Sequence, residues 1–71
     1  MNNIETVEVR VRVSDLRSAD ILIGTGARVV GRPLQSADPR KMFVRVSLRG
    51  ITFTQIYKAD AFLTVERGIL A

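Results

Sequence analysis

The sequence predicts an all-β protein, a small barrel of five to six short antiparallel strands. Three observations carry that expectation. Apolar and polar residues alternate with a period of two over several short segments. Gly, Pro and Asp interrupt those segments at short intervals, as turn residues do. No stretch supports a helix longer than one turn. Closure into a barrel is expected because it removes exposed strand edges, which a chain of this size tolerates poorly.

The segment Met42 to Tyr57, MFVRVSLRGITFTQIY, organises the rest. Met42, Val44, Val46 and Leu48 share one face, and Phe43, Arg45 and Ser47 the other. Arg49-Gly50 supplies a two-residue turn. That loop sets Leu48 opposite Ile51, Val46 opposite Phe53 and Met42 opposite Tyr57, all on the apolar face. The outer pairs are Ser47 with Thr52, Arg45 with Thr54 and Phe43 with Ile56. A slip of one residue sets Arg45 against apolar side chains, so the register is specified.

The other elements follow in order. Residues 1–5 are polar and expected to fray. Val7, Val9, Val11 and Val13 alternate with Glu8, Arg10 and Arg12 in a first strand. Ser14-Asp15-Leu16-Arg17 breaks the alternation, with one helical turn capped by Ser or Asp and Leu16 entering the core. Ile21 to Ile23 is a short apolar strand, Gly24-Thr25-Gly26 a turn, and Ala27 to Arg32 a third strand. Pro33 to Lys41 reads as the one long loop, because prolines 33 and 39 cannot donate to a ladder. After a turn at Lys58-Ala59-Asp60, Ala61, Leu63 and Val65 alternate in a last strand. Gly68 is expected to stop it, leaving 68–71 as an apolar tail. The triplets Ser-Ala-Asp at 18–20 and 36–38 and Lys-Ala-Asp at 58–60 read as similar turns, not as a repeat. The predicted core is Val9, Val11, Leu22, Val29, Val44, Val46, Phe53, Leu63 and Val65. Truncating a buried Phe53 to Ala is expected to cost about 3–5 kcal/mol.

Composition bounds the chemistry. Seventy-one residues (1–71) make one domain, burying only about 60% of its unfolded surface. The chain has no cysteine and no histidine, which excludes disulfides, thiolate metal sites, imidazole ligands and His-based triads. No apolar run approaches the roughly 20 residues of a membrane span. MNNIETVEV lacks the basic and apolar regions of a secretory signal, so a cytoplasmic location is expected. The net charge is +4, and nine of the eleven basic residues are Arg. Guanidinium groups suit phosphate or nucleic acid, although GC-rich codon usage also inflates arginine.

The segment VRVSDLRSADILIGTGARVV resembles the opening of small SH3-like barrels. There a strand leads through an Asp-Leu turn and a Gly-Asp pair to an apolar strand, a glycine turn and another strand. The matching residues are Asp15-Leu16, Ala19-Asp20, Ile21 to Ile23, Gly24 and Val29-Val30. Ala19 stands where the pattern has glycine. The likeness is to small barrels of actinobacteria and their phages, and nucleic-acid-binding KOW-type segments share a similar opening. It implies an SH3-like fold and a plausibly phage-encoded origin, and it assigns no function.

Four groups of residues are candidates for function. Gly24-Thr25-Gly26 has the composition of a phosphate cradle, but that loop needs a following helix and lysine. Here a strand follows, which favours a hairpin turn. Arg10, Arg12, Arg45 and Arg49 point outward and would form a basic nucleic-acid-binding patch if the first strand and the hairpin share a wall. The alternative is that Arg10 and Arg12 pair with Glu8 or Glu66 across strands. Asp15, Asp20, Asp38 and Asp60 all fall in turns, and nothing in their spacing makes a catalytic pair. Phe43 and Ile56 on the hairpin's outer face, with Ile69 and Leu70 beyond Gly68, are candidates for contact with a protein partner.

These readings predict a non-catalytic module without cofactor or metal. It would bind a protein partner or assemble with itself as a homo-oligomer. The rival expectation is a nucleic-acid-binding accessory domain.

Overall fold

The computed structural model describes residues 4–70, except for the side chains of Ile4, Ile69 and Leu70. Seven antiparallel strands form one sheet: β1 (Ile4–Arg12), β2 (Ile21–Leu22), β3 (Arg28–Val29), β4 (Leu34–Gln35), β5 (Lys41–Leu48), β6 (Ile51–Lys58) and β7 (Phe62–Leu70). A 3₁₀ turn over Val13–Asp15 is the only helical element among the described residues. It delivers Leu16 to the core, 3% exposed. No helix is long and apolar enough to cross a membrane.

The order across the sheet is β1-β7-β2-β3-β5, with β6 on the far side of β5. β3 and β4 share the near side of β5, against Val46-Ser47 and Met42-Phe43 respectively. The sheet is open, because β1 pairs only with β7 and β6 only with β5. Closure of the barrel is therefore corrected. The two long ribbons, β1–β7 and β5–β6, make the molecule 44 × 25 × 19 Å, with a radius of gyration of 12.5 Å. A compact chain of this length has a radius nearer ~11 Å.

The hairpin pairs in the register derived from its pattern, from Leu48↔Ile51 to Lys41↔Lys58. Arg49 and Gly50 both have positive φ, 52° and 81°. That is the mirror-image turn whose twist suits a two-residue hairpin. Three other expectations change. The third strand is only two residues long, because Val30 leaves the ladder with its N–H bonded to the Arg45 carbonyl. The loop after Pro33 contains β4. The last strand runs through Gly68, which lies opposite Thr6, so Ile69 and Leu70 pair with Glu5 and Ile4. An antiparallel partner along its whole length carries the strand past the glycine.

The core consists of Val13, Leu16, Leu22, Ala27, Val29, Met42, Val44, Val46 and Val65. Val9, Val11 and Leu63 are half-buried at its margin. Phe53, expected inside, is 39% exposed. It has the inward parity, but β6 is an edge strand and no strand crosses over its turn end.

One charged residue is buried with this core. Asp20 is 2% exposed, at the entry to β2. Arg67 of β7 holds it in a fork, Nε donating to Oδ1 at 2.9 Å and Nη2 to Oδ2 at 2.8 Å. The Arg17 N–H donates to Oδ2 at 2.9 Å, and Arg67 Nη2 also donates to the Asp15 carbonyl at 3.2 Å. The Asp20 backbone carbonyl accepts from the Val29 N–H, and the Ala19 N–H donates to the Val29 carbonyl. Ala19 reaches that bond at φ 78°. This left-handed backbone strains an alanine by about 1 kcal/mol.

Burial pushes the Asp20 carboxyl's pKa up. The Arg67 hydrogen bonds, the Arg17 N–H and the charges of both arginines outweigh that and hold it below the ordinary value. A carboxyl depressed on folding contributes stability above its unfolded pKa of about 3.9 and loses it as the pH falls through the folded value. Melting temperature should therefore fall between pH 5 and pH 2, and less steeply in Asp20→Asn. An unchanged acid profile in that variant excludes the pair as the cause. At pH 7, Asp20→Ala should cost about 3–5 kcal/mol, since it leaves Arg67 without its partner.

The core makes a second prediction. Denaturant unfolding should show Val44→Ala costing about 2 kcal/mol. Phe53→Ala should cost about 1–2, below the usual range for a buried Phe, because no cavity is left. A loss of 4 kcal/mol or more at Phe53 would mean that β6 is covered in solution.

Candidate interaction surface

β6 is mostly exposed. Ile51 is 67% exposed, Ile56 60% and Phe53 39%, so apolar side chains reach solvent from both faces of one strand. On the outer face, Leu34, Phe43 and Ile56 form a row across β4, β5 and β6, since Leu34 pairs with Phe43 and Phe43 with Ile56. Phe43 is half-buried between two exposed neighbours. The two expected hairpin residues are thus brought together, and Leu34 extends their row. A lone Leu between two prolines gave no strand signal, so its place was not legible in the sequence. Side chains of Ile69 and Leu70, the other candidate contacts, lie outside the described residues.

The backbone of β6 is open as well. The Ala59 N–H donates to the Arg40 carbonyl at 2.8 Å, which makes that position a hydrogen-bonded pair. Such pairs alternate along an antiparallel ladder, so Ile51, Phe53, Gln55 and Tyr57 face β5. Two carbonyls of β5 confirm the phase. Those of Arg45 and Lys41 point the other way, to the Val30 and Ser36 N–H groups. Thr52, Thr54 and Ile56 therefore present their N–H and C=O groups along an edge that no strand among the described residues occupies. Lys58 differs, because its carbonyl accepts from the Ala61 N–H.

On the inner face the Tyr57 hydroxyl donates to Gln55 Oε1, and burial pushes its pKa up. Tyr57 packs against the core margin and borders a cleft lined by Leu22, Ile23, Thr25 and Leu63.

The candidate arginines sit on two separate elements. Arg10 and Arg12 lie on β1, while Arg45 and Arg49 lie on the hairpin, with β7, β2 and β3 between them in the order of the sheet. Arg10 and Arg12 both lie over the Phe62 ring, with guanidinium carbons 4.8 and 5.3 Å from its centroid. Neither is ion-paired with Glu8 or Glu66. Those two glutamates face each other. Among the described residues the ion pairs are Arg67–Asp20 and Arg40–Asp38.

Gly24-Thr25-Gly26 is a hairpin turn. The Gly26 N–H donates to the Leu22 carbonyl and the Ala27 N–H to Thr25 Oγ1, so both amides are engaged within the turn. Of the four aspartates, Asp20 is held by Arg67 and Asp38 by Arg40. The Arg40 N–H, then its side chain, lower the Asp38 pKa. No group of three metal-ligating side chains occurs among the described residues. Comparison with protein-family models, curated proteins and solved structures yields no match.

Proposed function

We propose that this chain is a non-catalytic interaction or self-assembly module, an SH3-like small β-domain left open along β6, which takes partners by adding a strand at that edge. The observation that carries the reading is the free edge of Thr52, Thr54 and Ile56, set in the uncharged run ITFTQIY. Main-chain groups supply the hydrogen bonds in strand addition, and flanking side chains supply selectivity. Ile56 on the outer face and Ile51 and Phe53 on the inner face are the β6 side chains such a strand would meet.

Thr54→Pro tests the reading. It removes an N–H that β5 does not use, and edge strands accept proline. Partners captured from the native host by the parent chain should be lost with Thr54→Pro and kept with Thr6→Pro, which makes the same change on β1. Equal capture by all three chains would sink the β6 reading.

A second reading rests on Arg10 and Arg12 over Phe62, a cationic aromatic surface of the kind that stacks bases of single-stranded nucleic acid. Binding of that sort weakens steeply with salt as counterions are released. The expected result is no measurable binding of oligonucleotides at low salt. Tight, salt-sensitive binding that an Arg10→Ala, Arg12→Ala variant loses would favour the nucleic-acid reading instead.

A further inference from the structure

We infer that the partner of β6 is β6 of a second copy, paired antiparallel about Thr54, so that the two seven-stranded sheets become one. The inference rests on the docking reading above and names the occupant.

Register is the first argument. The groups that β6 leaves free belong to Thr52, Thr54 and Ile56, and these positions are symmetric about Thr54. Antiparallel self-pairing there sets Thr54 opposite Thr54 and Thr52 opposite Ile56, twice. Three hydrogen-bonded pairs then form, with two bonds each, and every free N–H and C=O of the three residues is used. A shift of two residues toward the turn strands Ile56 against Gly50. A shift of two the other way sets Thr52 against Lys58, whose carbonyl is already taken. Odd shifts oppose outward-facing groups to inward-facing ones and form no ladder.

The side chains agree. On the outer face a Thr–Thr pair is flanked by two Thr–Ile pairs, and on the inner face Phe53 meets Gln55 and Ile51 meets Tyr57. Such pairs stabilise sheets, and the exposed surface of Ile51, Phe53 and Ile56 is reduced.

Charge is the second argument. The chain carries +4, so two copies repel across most contacts. Residues 51–57 hold no charge, and Arg49 and Lys58 bracket them. The β1 edge carries Glu5, Glu8, Arg10 and Arg12, and charges of that kind blunt an edge. Pairing about a two-fold axis uses both β6 edges and closes the assembly.

The test uses the full chain. Sedimentation equilibrium should show a dimer. Thr54→Pro should raise its dissociation constant by at least about tenfold, the loss of two hydrogen bonds, one N–H from each copy, with the β-type far-UV dichroism unchanged. Should that variant unfold, Thr54→Lys, an exposed substitution that places two like charges at the axis, makes the same prediction. The chain has no cysteine, so Thr54→Cys gives a single thiol. Paired residues here lie about 5.5 Å apart at Cα, within disulfide reach. Oxidation should convert Thr54→Cys to a covalent dimer and leave Glu8→Cys, exposed at the middle of β1, a monomer. A parent chain that stays monomeric at about 1 mM overturns self-pairing, as does cross-linking of Glu8→Cys alone. If that monomer still loses captured host partners on Thr54→Pro, only the identity of the partner has failed. If it loses none, the docking reading falls with it.

Discussion

The open sheet depends on one buried ion pair. β1 and β7 form a ribbon joined to the rest of the molecule through β2, where only Ile21 and Leu22 pair with β7. Arg67 reaches across this narrow join to Asp20, and Asp20 is bonded in turn to Arg17 and, through its carbonyl, to Val29. The fork thus fixes three segments that the sheet alone holds weakly. A buried charge pair often stabilises no more than apolar packing would. Here it sets geometry, because an aliphatic residue at position 67 would have no directional contact with the 16–20 turn. Every buried polar side-chain atom among the described residues has a partner.

The small core explains why the sheet stays open. Nine buried apolar residues, five of them valine, fill the space under the middle of the sheet and leave none for its ends. Tyr57 and Leu63 reach the core margin, whereas Ile51 and Phe53 lie beyond it. The edge follows from that shortage, since a sheet closes only around a core that fills it.

The hairpin was fully legible in the sequence, because alternation and a two-residue turn together leave one register. So were one helical turn after the first strand and Leu16 inside, but the turn lies at Val13–Asp15, with Arg12 as its N-cap and no capping side chain, because Val13 itself leaves the strand. Burial of Phe53 was misjudged because parity tells which face a residue takes, not whether anything lies over it. The strand through Gly68 was missed because glycine marks a stop only where no partner strand continues. Arg67 did leave a signal. It follows Leu63 and Val65 on the inward parity, and a cation there requires a buried anion. Its partner is 47 residues away in sequence, and no local pattern identifies it. The β6 edge was invisible for a related reason, since edge or centre is decided by topology.

The two ribbons differ in how far apart along the chain their strands lie. β5 and β6 join residues no more than 17 apart, Lys41 and Lys58 being the widest pair. In β1–β7 the nearest partners, Arg12 and Phe62, are 50 apart. Loop closure makes the first pairing a microsecond event and the second far slower. Folding therefore runs from the middle of the chain outward. While β1 and β7 search for each other, the hairpin already displays its uncharged strand, so an unpaired edge is exposed before the sheet is complete.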